Sequence, residues 1–147
     1  MAQVFEDEFG KIQVDMVSIC REYVSDRADK IYIYGTAEDN QYYCSFFYNI
    51  NGVLLKKHKV NEQLDNVDVS ENMQMQVNHI LVDDLLEIEK AAKKYERKMP
   101  TELKLIYDVK KNNLDADFRY DKVLEKNDMA GFEMADRWFD EFCKENK

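Results

Sequence analysis

Apolar residues at Phe5, Phe9, Ile12, Met16, Ile19 and Tyr23 recur in alternating steps of four and three, the spacing of one helical face. The spacing predicts a helix of roughly 20 residues, with Glu6, Asp7 and Glu8 in its first turns, where acids suit the positive end of the helix dipole. After Lys30 the period falls to two: Ile31 to Tyr34, Tyr42 to Tyr48 and Val53 to Leu55 are rich in Tyr, Phe, Ile and Val, as strands are. Residues 35–40 supply the first turn, and Asn51-Gly52 is a strong hairpin signal because both residues tolerate positive φ. Together these predict a three-stranded antiparallel meander. Its third strand runs into Lys56, Lys57, His58 and Lys59, the charge expected of a guarded edge.

Residues 61–70 read as a loop, and helical spacing returns over about 71–98, with Met73, Val77, Ile80, Leu81, Leu85, Ile88, Ala92 and Tyr95 on one broad face. Asp68 or Ser70 can cap its start, and a basic last turn precedes Pro100. Asp84 falls inside the apolar arc. Met75, Val82 and Leu86 form a second, narrower stripe on the opposite side, and a helix apolar on two sides is buried between layers or meets a partner. Two cleanly alternating strands follow: Leu103, Leu105, Tyr107 and Val109 share one face, as do Leu114, Ala116, Phe118 and Tyr120, which predicts a sheet with one packed and one wet face. A last helix begins near Asp128 and presents Phe132, Ala135, Trp138, Phe139 and Phe142. The expected fold class is α+β, a mostly antiparallel sheet of about five strands with flanking helices in the order α-βββ-α-ββ-α. Whether the two strand blocks share one sheet is open at this point.

Composition narrows the class. With 147 residues, 45% of them hydrophobic, the chain is large and apolar enough for a single folded domain over residues 1–147 and too apolar to be a disordered acidic tail. Its 30 acidic against 21 basic residues give a formal charge of −9, which repels nucleic acid backbones and anionic membranes and attracts basic proteins. The negative excess lies in the helical segments, while residues 30–60 are net positive and residues 101–120 are neutral. Cys20, Cys44 and Cys143 are odd in number and lack the spacing of a disulfide framework or zinc site. With a charged N-terminus in place of an apolar leader, they lead to the expectation of a cytoplasmic protein.

Candidate chemistry is sparse. His58 and His79 are the only histidines, and His79-x₃-Asp83 on one helix reads as a solvated pair rather than a metal site. No phosphate-cradling glycine loop or hydrolase motif occurs, and Asp115 and Asp117 read as the wet face of a strand. The methionines, Met73, Met75, Met99, Met129 and Met134 among them, read as packing residues. Asp84 is either hydrogen-bonded at a helix–sheet seam or a functional carboxylate, since an unpaired buried charge would cost several kcal/mol. No catalytic, cofactor-binding or metal residues are expected.

One stretch points further. Met99-Pro-Thr-Glu-Leu-Lys-Leu-Ile-Tyr-Asp-Val-Lys-Lys-Asn-Asn-Leu-Asp-Ala-Asp-Phe-Arg-Tyr-Asp121, ahead of a helix with Arg137-Trp-Phe-Asp-Glu141, resembles the YezG-type immunity proteins (antitoxins) of bacterial polymorphic-toxin systems. The aromatic strand Tyr-Tyr-Cys-Ser-Phe-Phe-Tyr48 and the order of elements look like theirs too. The resemblance implies a cytoplasmic protein without catalytic residues or cofactors, which binds and neutralises a cognate secreted toxin, frequently a nuclease. Charge segregation then places the toxin-facing surface on acids of the first and long helices, Glu6, Asp7, Asp15, Asp83 and Glu87. Exposed meander aromatics Tyr32, Tyr34, Tyr43 and Phe47 would supply its apolar anchors. Two other readings stand beside it: a structural or regulatory protein that self-associates through Met75, Val82 and Leu86, and a small hydrolase using Asp84 with a neighbouring carboxylate or His79.

Overall fold

The structure is a computed structural model and describes residues 4–145. The expectation that no leader is present rests partly on residues 1–3, which lie outside the described residues. The elements are α1 (Phe5–Tyr23), β1 (Lys30–Glu38), β2 (Gln41–Ile50), β3 (Val53–Lys56), a 3₁₀ turn (Lys57–Glu62), α2 (Glu71–Lys94), β4 (Glu102–Asp108), β5 (Asn113–Arg119), α3 (Val123–Asn127) and α4 (Gly131–Glu145). The two strand blocks form one antiparallel sheet in the order β3-β2-β1-β4-β5, so the fold is α+β as its periodicities predict.

α1 and α2 lie antiparallel on one face of the sheet, held at their ends by Lys94 to Glu8 at 3.0 Å and Arg97 to Glu6 at 2.7 Å. Beneath them Ile31, Ile33, Cys44, Phe46, Tyr48, Leu103 and Leu105 meet Met16, Cys20, Leu81, Leu85 and Ile88. The other face of β1 and β2 is also dry. Tyr32, Tyr34 and Phe47 are covered by Val123, Met134, Ala135 and Trp138 of the last two helices. A packed face and a wet face therefore coexist only toward β5, where Asp115, Asp117 and Arg119 are exposed.

Local chemistry explains where the elements depart from the sequence pattern. Gly35 is not in a turn; it lies in mid-β1, where a Cβ would come within 3.3 Å of Leu103 and 3.4 Å of Leu85, so its missing side chain lets α2 pack closely. The turn is the two-residue Asp39-Asn40, both at positive φ (51° and 60°), matching Asn51-Gly52 at the next hairpin (56° and 81°). β3 stops at Lys56, and the basic run that was expected to extend it turns into the 3₁₀ segment around buried Val60. Ser70 caps α2 through Met73 N–H at 3.2 Å, and the helix ends at Lys94, four residues short of expectation, just before Glu96 at φ 55°. The short α3 is unanticipated: Asp128, expected to start the last helix, is instead the left-handed residue that ends α3, and α4 is capped by Ala130 N–H donating to Glu133.

Candidate functional site

The antiparallel packing of α1 on α2 brings three of the five expected acids into one place. Asp15 of α1 faces Asp84 of α2, and Asp83 and Glu87 stand beside it on the same helix. Asp84 is only 9% exposed, and its Oδ2 has no hydrogen-bond partner among the described residues. With both carboxylates ionised neither oxygen can donate, so a single proton supplies the missing hydrogen bond. Burial first, then the hydrogen bond to Asp15 and the charges of Asp15, Asp83 and Glu87, push the Asp84 carboxyl up to about 8. Asp84 is thus not a fully satisfied seam residue, and it does not line the α1–α2 groove or the clefts beside Lys57, Tyr42 and Arg21.

The remaining acids divide. Glu6 lies nine residues before Asp15 on α1, about 13 Å along the axis, and is engaged by Arg97, whose hydrogen bond holds its carboxyl below the usual range. Glu87 pairs with Lys90 at 3.1 Å, and Asp83 stands 3.5 Å from the imidazole Nε2 of His79; Asp7 and Asp15 have no Lys or Arg within ion-pair distance among the described residues. A groove of about 390 Å³ runs along the two helices beside this cluster, walled by Glu8, Lys11, Ile12, Glu87, Lys90 and Lys94. Its alternating signs leave the uncompensated negative charge at Asp7 and at the Asp15–Asp84 seam.

The meander aromatics do not form an exposed surface. Tyr32, Tyr34 and Phe47 keep at most 4% of their area, because α4 lays Trp138 over them with ring centres 5.3–6.0 Å away. The Tyr34 hydroxyl donates to buried Glu102 at 2.5 Å. Burial and then that bond raise the phenol above its ordinary range. Tyr43 is half-buried beneath Gly131, where a Cβ would come within 3.0 Å of its ring. Large apolar side chains that do face solvent include Met75 at 70%, Val14 at 59%, Phe132 at 58%, Tyr120 at 46% and Leu86 at 37% exposure. Two of these belong to the second stripe of α2. Helical spacing puts Phe132 on the packed side of the last helix, but it is the second residue of α4 and only walls a cleft beside Tyr43 and Phe47, leaving most of its ring in solvent.

Burial raises the Cys20 and Cys44 thiols far above a reactive range. Among the described residues no group of three or more His, Cys, Asp or Glu is placed to hold a metal ion, and no helix is long and apolar enough to cross a membrane. No protein-family model matches the chain, and no curated protein does.

Proposed function

We propose that the protein is a cytoplasmic immunity protein that binds one basic bacterial toxin domain, of nuclease class, and blocks it stoichiometrically without chemistry of its own. The observation that carries this reading is the gathering of Asp15, Asp83 and Glu87 around the α1–α2 seam of a −9 chain. The resemblance of residues 99–121 to YezG-type antitoxins supplies the class of partner. A nuclease is cationic where it holds phosphates, and an acidic helix pair can occupy that site while its field speeds encounter. The test is titration against a basic nuclease-type toxin domain, taken from the neighbouring reading frame if that frame encodes one. Nuclease activity should fall linearly to zero at one equivalent. Replacing Asp15, Asp83 and Glu87 by Lys, with the far-UV spectrum intact, should weaken binding about tenfold or more and flatten its salt dependence. Unchanged affinity overturns the placement, and absence of binding overturns the function.

A second reading is self-association through Met75, Val82 and Leu86, favoured by the exposure of Met75 and Leu86. Sedimentation at low micromolar concentration separates the two: a stable dimer supports self-association, and a monomer that captures a basic domain supports immunity.

A further inference from the structure

β2 is ten residues long, but its outer neighbour β3 is four, and β3 pairs only with Phe47 to Ile50. The first half of β2 therefore has β1 on one side and no strand on the other. The two-residue turns fix which backbone groups face the gap. Residues 41, 43 and 45 direct their N–H and C=O to β1, and Tyr42 and Cys44 direct theirs outward.

Clefts flank this open edge on both faces of the sheet. On the α2 side a groove of about 490 Å³ is walled by Glu71, Gln74, Met75, Asn78, His79 and Val82, with exposed Met75 on its lip. The Glu71 carboxylate at the helix start is outside ion-pair distance of Lys57, and the Asn78 Oδ1 is buried and without a hydrogen-bond partner among the described residues. Leu86 continues this stripe to Tyr42. On the α4 side a cleft of about 270 Å³ is walled by Tyr43, Phe47, Phe139 and exposed Phe132. Lys57 lines both. Its Nζ lies 3.2 Å from Ser45 Oγ and 5.0 Å from the centre of the Phe46 ring, which project from opposite faces of β2, so the ammonium sits across the edge itself. No carboxylate lies within ion-pair distance of it among the described residues; Asp136, across the cleft, is held by Lys56 at 3.1 Å. Burial makes Lys57 easier to deprotonate than an ordinary lysine, as expected of an ammonium lacking a counter-ion.

We infer that the outer edge of β2 is a docking site for an extended segment of a partner protein, which adds as a strand in line beyond β3 and places a carboxylate on Lys57. The outward groups of Tyr42 and Cys44 offer the ladder, and clefts on opposite faces suit side chains of period two. The apolar residues of the segment fill those clefts against Met75, Val82 and Leu86 on one side and Phe132 and Phe139 on the other. Cys44 is almost fully buried, with the Lys57 ammonium near enough to act on its thiol, so its outward groups become available as the lysine side chain moves onto the incoming acid. A second copy of this chain is the poorer occupant, because residues 41–46 carry no carboxylate to meet Lys57. The inference stands apart from the toxin reading, whose acids lie on the α1–α2 seam.

The experiment is selection of a displayed library of random short peptides on the full-length protein, with the winners resynthesised and measured by fluorescence anisotropy. Winners should alternate apolar residues and carry an Asp or Glu, and should shift the amide resonances of Tyr42 and Cys44. They should lose about tenfold or more in affinity on Lys57→Glu and on Phe132→Asp, and bind Lys57→Arg nearly as well as wild type. Both Lys57 variants and Phe132→Asp alter partly or largely exposed positions, and a native far-UV spectrum confirms that each folds. An empty selection, winners that bind Lys57→Glu as tightly as wild type, shifts confined to α1, or a dimer dispersed by Met75→Asp would each overturn the inference.

Discussion

Asp84 occupies a position on α2 where the pattern of Val77, Leu81 and Leu85 calls for an apolar side chain, and that much is visible in the sequence. What lies opposite it is not, because Asp15 is 69 residues earlier and only helix pairing brings the two together. The pair has a pH signature. With the Asp84 carboxyl held up to about 8 in the folded state, folding takes up a proton, so the stability of the protonated pair is fully present below the ordinary carboxyl range and is lost as pH rises through about 8. The groups facing it are Asp15 on α1, Asp83 and Glu87 on α2 and the neutral thiols of Cys20 and Cys44. Urea unfolding should show wild type losing stability between about pH 4 and 8, by at most about 1.4 kcal/mol per pH unit, with the slope removed in Asp84→Asn. Equal slopes for the two proteins would mean that Asp84 is ionised and solvated. Glu38 is a second residue whose role only the fold reveals. It ends β1 as an unremarked acid, yet its two oxygens accept the N–H groups of Leu124 and Glu125 at 2.9 and 3.0 Å and cap α3 from across the molecule. Glu38→Ala should cost about 1–3 kcal/mol by urea unfolding and speed amide exchange at Leu124 and Glu125.

At the scale of elements, periodicity was a sufficient guide wherever one face met one core. α1 and the body of α2 follow from spacing because each turns one broad stripe to the core. The β4–β5 hairpin departs from its pattern: Glu102, expected on the wet face, is buried against Tyr34. Ala116 and Tyr120, expected on the packed face, are exposed because the helices leave most of the outer strand uncovered. Periodicity also failed where backbone geometry was decided by a neighbour. Gly35 reads as turn chemistry in isolation, and it is the approach of Leu85 and Leu103 that makes it a strand residue. α3 is five residues long, too short for a periodic signal, and depends on Glu38 for its cap. α4 shows how much a single element can change: by covering Tyr32, Tyr34 and Phe47 it converts a solvent-facing aromatic surface into a second core. Trp138 is the centre of that contact, with Tyr32, Tyr34, Phe47 and Phe142 around it and Lys104 over its ring at 5.6 Å. Trp138→Ala should cost about 3–5 kcal/mol and expose those rings to a hydrophobic dye. A loss below about 1 kcal/mol would mean that α4 is not docked.

At the scale of the molecule the sheet is a shared wall, with α1 and α2 on one side, α3 and α4 on the other, and β1 and β2 packed on both faces. A wall common to two cores couples them, so unfolding followed by the fluorescence of Trp138, the only tryptophan, should coincide with unfolding followed by the helical far-UV signal. An earlier fluorescence transition would show α4 leaving independently. The sequence by itself determined the fold class, the order of the elements other than the 3₁₀ turn and α3, the Asn-Gly turn, the anomalous Asp84 and the concentration of net negative charge in the helical segments. These are local or periodic properties, set by backbone preference and by which side of an element is apolar. Tertiary structure alone decided that both strand blocks join in one sheet, that the meander aromatics are buried, that Asp15 meets Asp84, and that a short β3 leaves half an edge of β2 open with Lys57 across it. Each of these depends on contacts between residues far apart in the chain, which a pattern along one element does not specify: a buried face has the same spacing whichever partner covers it.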